Sequence, residues 1–127
     1  MADMAPRMAV LAALLFFTAT TPVPAKSART SFDGYWSILI VTDAGSCDHA
    51  YRFGLRIAGG RLFYDGVANV ELSGRVDARG NVRVGLRQGD SIAQGTGQLS
   101  ESSGSGSWQG ASPTARCSGH WLAARGE

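Results

Sequence analysis

Lysine is almost missing from this 127-residue chain: Lys26 stands alone among twelve cationic side chains. Proline is scarce as well, and after Pro24 only Pro113 remains. Cysteine occurs twice, at Cys47 and Cys117. No apolar run reaches the roughly 20 residues that a membrane-spanning helix needs. From Phe32 onward no stretch keeps a 3.6-residue apolar period through three turns, which points away from a helical core. The formal charge of +2 is too weak to indicate a nucleic acid or a membrane surface on charge alone. Arginine in place of lysine suits a sheet surface with aromatic neighbours, although a G+C-rich genome gives the same bias.

What is present begins with a secretory pattern. Arg7 precedes the apolar run Met8–Phe17, and Val23-Pro24-Ala25 supplies small residues for cleavage. Residues 1–25 therefore read as a signal peptide removed after Ala25, and the mature protein is expected in the periplasm or outside the cell. A retained membrane helix is the weaker alternative, because Thr18-Ala19-Thr20-Thr21-Pro22 ends the run early. Residues 26–31 read as a short disordered linker, and residues 32–127 as one domain of about 100 residues.

All 17 glycines lie in the mature part, interleaved with β-branched and aromatic residues. Such glycine serves turns and tight bends in sheets. The dominant period is two. Tyr51, Phe53, Leu55 and Ile57 alternate with Arg52, Gly54 and Arg56, and Gly59-Gly60 forms a two-residue hairpin turn. Arg61–Asp65 returns from it. Val70–Val76 and Val82–Leu86 follow, joined by a turn at Arg79-Gly80-Asn81. With Tyr35–Thr42 in front, and Ala93–Leu99, Gly104–Gly110 and Cys117–Arg125 behind, eight short strands are predicted. The fold class is all-β: a small antiparallel up-and-down barrel, with a β-sandwich as the alternative.

The cysteines favour the barrel. In an exported protein an isolated pair reads as one disulfide. A closed eight-strand meander pairs its first and last strands antiparallel, which sets Cys47, after strand one, beside Cys117, at the start of strand eight. The loop so closed, 70 residues, would contribute about 4 kcal/mol by the chain-entropy model.

Gly34-Tyr35-Trp36 opens the first strand, and Trp121 with Arg125 closes the last. This arrangement resembles the calycin pattern of lipocalins and avidins, in which a G-x-W tryptophan plugs the barrel base. In lipocalins an arginine of the last strand packs across it, a favourable cation–π contact. The resemblance implies structural roles at the base for Trp36, Trp121 and Arg125. A broader one rests on Phe32-Asp33-Gly34-Tyr35-Trp36, Cys47-Asp48, Tyr51-Arg52-Phe53, Ser73-Gly74-Arg75-Val76, Gly104-Ser105-Gly106-Ser107-Trp108 and Cys117-Ser118-Gly119-His120-Trp121 through Arg125. In these segments the chain is similar to a family of small exported uncharacterised β-domain proteins of Gram-negative bacteria. That similarity implies a secreted β domain with one disulfide and assigns no activity.

Chemistry-bearing clusters are few. Cys47, His49, Cys117 and His120 have the makings of a zinc set, but the compartment favours a disulfide and two solvated histidines, so no metal and no cofactor is expected. Asp48 and His49 are sequence neighbours on opposite faces of a strand, and therefore no triad pair. No G-x-S-x-G elbow is present. Gly95-x-Gly97 and Gly104-x-Gly106 lack the following helix that phosphate binding at a helix terminus requires. A non-enzymatic binding module is expected.

Two surfaces remain as binding candidates. Arg52, Arg56, Arg75, Arg83 and Arg87 lie on the polar face of three strands and read first as a solvated outer face. Large early-strand residues against small late-strand ones fill a narrow barrel, which is the favoured reading; the competing one is a pocket beneath the glycines. A small apolar ligand there would meet Tyr51, Phe53, Tyr64, Trp108, Gly95 and Gly97. Two different functions would suit the same barrel: a periplasmic protease inhibitor presenting residues 26–32, and an envelope structural or surface-interaction protein using the arginine face.

Overall fold

The computed structural model describes residues 13–19 and 31–126. The signal and linker assignments fall mainly outside the described residues. Among the described residues, no helix is long and apolar enough to cross a membrane.

The eight predicted strands are present: β1 Gly34–Ala44, β2 Ala50–Ala58, β3 Arg61–Asp65, β4 Glu71–Val76, β5 Asn81–Gln88, β6 Ser91–Leu99, β7 Ser103–Ala111 and β8 Arg116–Arg125. They close into an antiparallel barrel in sequence order, with β1 paired to β8. Alternation explains the closure. Each strand places one apolar set inward, and a sheet buried on one face only has no free edge once it closes. The Gly59-Gly60 hairpin works because both residues take positive φ, 58° and 75°, which glycine adopts without a Cβ clash.

Strand direction divides the barrel into two ends. The turns at residues 59–60, 77–80 and 100–102 close one end; the loops at 45–49, 66–70, 89–90 and 112–115 rim the other. The disulfide Cys47–Cys117 ties the β1–β2 loop to the start of β8 at the rimmed end, with Cα atoms 6.1 Å apart. It takes up both sulfurs, so the thiolate zinc set does not form.

The closed end is a packed plug. Phe32, Trp36, Val76 and Ala123 are buried there, with Trp36 only 2% exposed. Trp36 Nε1 donates to Phe32 O at 2.8 Å. The Arg125 guanidinium lies 5.3 Å from the Trp36 ring centroid. Its Nη1 donates to Ser31 O and Glu101 O, and its Nη2 to Asp33 O. The Asp33 carboxylate in turn accepts from the Gly59 and Gly60 amides. One guanidinium thus pins the entering chain across the base. Phe32, the first residue of the expected domain, is buried for this reason, and so is not free for the arm of residues 26–32 that the inhibitor alternative requires.

Trp121 is buried as well. Its backbone pairs with Ile40, whereas Arg125 pairs with Trp36, so it enters from nearer the rim, while its side chain belongs to the same buried core as Trp36. Its indole crosses β7 at Gly106 and donates to Thr96 O of β6 at 3.1 Å. A Cβ at Gly97 or Gly106 would overlap that ring. Trp108 repeats the device one strand along. It crosses β8 at Gly119 and donates to Val41 O of β1 at 3.0 Å. The late-strand glycines make room for these two indoles.

Candidate functional site

Above the plug the barrel is hollow. The expectation of a filled core holds for the closed half only: Phe32, Trp36, Ile57, Val76, Val82 and Leu99 are buried there, whereas Tyr51, Phe53, Tyr64 and Trp108 stand around an open space in the rimmed half. The cavity measures about 290 Å³. Leu55, Ile57, Leu62, Val82 and Leu99 form its floor, all buried. Ile38, Ile40, Leu72, Val84 and Trp121 build the walls.

The predicted ligand residues divide. Tyr51, Phe53, Tyr64, Trp108 and Gly95 line the cavity. Gly97 does not, since the Trp121 indole lies against it. Tyr51, Phe53 and Tyr64 form an aromatic file from rim to interior, with ring centroids 6.1 Å and 5.8 Å apart. These are ordinary aromatic contact distances, at which tilted rings attract. The neighbouring Tyr64 side chain raises the Tyr51 pKa above the ordinary tyrosine value. Both tyrosines offer hydroxyls at the mouth. Gln88, Ser91 and Ser112 add polar groups at the same rim.

The indole N–H groups of Trp108 and Trp121 are already engaged by Val41 O and Thr96 O, so Trp108 offers a ligand its ring and no free donor. Polar capacity inside is thereby removed, and the interior wall is apolar. No buried side-chain polar atom lacks a partner among the described residues.

The histidines lie elsewhere. His120 points outward and its Nδ1 stands 2.7 Å from Asp43 Oδ2, with both side chains about half exposed. His49 is exposed beside the disulfide loop, and its carbonyl accepts from Thr42 N. Among the described residues no three His, Cys, Asp or Glu side chains group as a metal set.

The five named arginines are all exposed on the outer face. They do not act as one stripe. Arg52 donates to Ser37 Oγ, and Arg56 lies 5.0 Å over the Phe63 ring. Arg87 stands opposite Glu71, while Arg75 and Arg83 face each other. Arg61, absent from the set expected on sequence grounds, joins them through its register with Arg75. Only a known β3–β4 register reveals it.

No family model, curated protein or solved structure matches the chain.

Proposed function

We propose that this protein is an exported, non-enzymatic binding module that takes a small apolar ligand into the rimmed end of its barrel. One observation carries the reading: an apolar cavity, sealed below by the Trp36–Arg125 plug and approached from the rim. Such a space holds several waters that find few partners on these walls. An apolar body displaces them favourably. The Tyr51 and Tyr64 hydroxyls suit a ligand with one polar end left at the mouth.

Export rests on the pattern of residues 1–25 and on the disulfide, which persists in oxidising compartments. N-terminal sequencing of the exported protein tests it, with Lys26 as the expected first residue.

Binding is tested by titrating a neutral naphthylamine dye and reading energy transfer from tryptophan, since Trp108 and Trp121 line the cavity. Saturable one-to-one binding is expected, weakened at least about ten-fold in Ala93→Leu, which fills the wall. Absence of saturable binding, or unchanged binding in a folded Ala93→Leu protein, would overturn the reading.

A further inference from the structure

The outer face carries a feature that the cavity does not use. Arg61, Arg75 and Arg83 stand directly opposite one another on β3, β4 and β5. Adjacent strands lie roughly 4.8 Å apart, so the three residues are carried on about 10 Å of sheet. Like charges directly opposite each other destabilise a sheet. An interleaved carboxylate would relieve them, and none stands in the row among the described residues. Among the described residues the ion pair present is Asp43 with His120, on the far side of the barrel. Nearby carboxylates are engaged at turns: Asp33 with the Gly59 and Gly60 amides, Asp77 with the Arg79 and Asn81 amides. Glu71 stands opposite Arg87, farther toward the rim.

The same place is concave. β3 and β4 are registered at Arg61 and Arg75 alone, and a shallow groove lies over this junction. The three arginines line it together with Ser73, Gln94 and Thr96, and no carboxylate lines it among the described residues. Gly85 leaves its floor open, since a Cβ there would meet nothing closer than Ser73 Oγ at 3.8 Å.

We propose that this groove binds a phosphate-bearing anion, with the phosphate oxygens shared among Arg61, Arg75 and Arg83. Guanidinium forks match phosphate oxygens bidentately and stay charged at any physiological pH. Ser73 and Thr96 hydroxyls and the Gln94 amide supply neutral donors beside them. A bound anion relieves the repulsion within the row, so binding stabilises the fold. The inward-facing Leu72 and Val84 form the wall between this groove and the cavity.

The test uses the full domain with its disulfide intact and two probes. Inorganic pyrophosphate, followed by calorimetry and thermal unfolding, stands for a free phosphate; phosphatidylcholine vesicles with and without phosphatidate stand for a lipid headgroup. Saturable binding of either probe is expected, weakened about ten-fold or more in Arg75→Gln and less than about two-fold in Arg87→Gln, which lies outside the groove. Without ligand, Arg75→Gln should melt no lower than the unaltered protein, because a repulsive pair is removed. Pyrophosphate binding identifies a soluble ligand class, and retention on phosphatidate vesicles alone identifies a headgroup. No saturable binding of either probe at low salt, or wild-type affinity in Arg75→Gln, would overturn the proposal.

Discussion

Replacing Gly106 by alanine probes the seating of Trp121, and the same substitution at Gly85 supplies the control. A Cβ on Gly106 would fall 2.5 Å from both Cε2 and Nε1 of Trp121, and it would also overlap Thr96 O. The indole cannot retreat easily. It is 5% exposed, its Nε1 is held on Thr96 O, and Gly97 lies against its Cζ2 edge. Overpacking of this kind costs about 1–3 kcal/mol, and disturbing the indole hydrogen bond adds about 1 kcal/mol. Gly106→Ala should therefore cost roughly 2–4 kcal/mol. At Gly85 the new methyl meets only open space near Ser73 Oγ. Alanine there should gain about 0.4–1 kcal/mol through the less disordered unfolded chain. Against a total stability of about 5–15 kcal/mol, the difference is easily resolved. Urea unfolding in phosphate-free buffer, with the disulfide intact and the slope unchanged, reads it as a shift in midpoint. If the two variants fall within about 0.5 kcal/mol of each other, the glycines do not seat the tryptophan.

Trp36→Ala should cost about 3–5 kcal/mol, because it empties the plug and leaves Arg125 without its aromatic partner; an unmoved melting midpoint would contradict a structural base. Cys47 and Cys117 should resist alkylation in the native protein, and reduction should remove about 4 kcal/mol of stability; ready alkylation would refute the bridge. Asp77 is held below the usual carboxylate range by the Asn81 side chain first and the Asn81 amide next. Its stabilising contribution is thus present above the ordinary carboxylate value and lost as the pH falls through the lower, folded-state value. Asp77→Ala should flatten the acid limb of the stability profile in that window, and an unchanged acid limb would contradict the assignment.

The strand order was legible because a one-sided sheet writes a period of two into each strand, and glycine pairs mark the turns. Even the disulfide followed, since closing an eight-strand meander brings the end of β1 to the start of β8. Tertiary contacts across an intervening strand were not legible. Nothing local in Trp121 says that it lies over Gly97 and Gly106, or that Trp108 reaches Val41 O across Gly119. Gly97 therefore read as a candidate ligand contact where it is room for an indole, while Gly95 does line the cavity. Arg61 was hidden for a related reason: its partnership with Arg75 depends on how the loop at 66–70 sets the β3–β4 register. The clamp on the entering chain was not legible either, because the Arg125 contacts to Ser31 and Asp33 come from more than 90 residues away.

Native mass spectrometry of the protein purified from its own host, without organic solvent, tests most directly whether the cavity holds a ligand in life. The account predicts one adduct per chain, shed on denaturation and missing from a folded Ala93→Leu variant prepared identically. A wild-type protein that flies at its bare polypeptide mass, indistinguishable in occupancy from the filled variant, would contradict it.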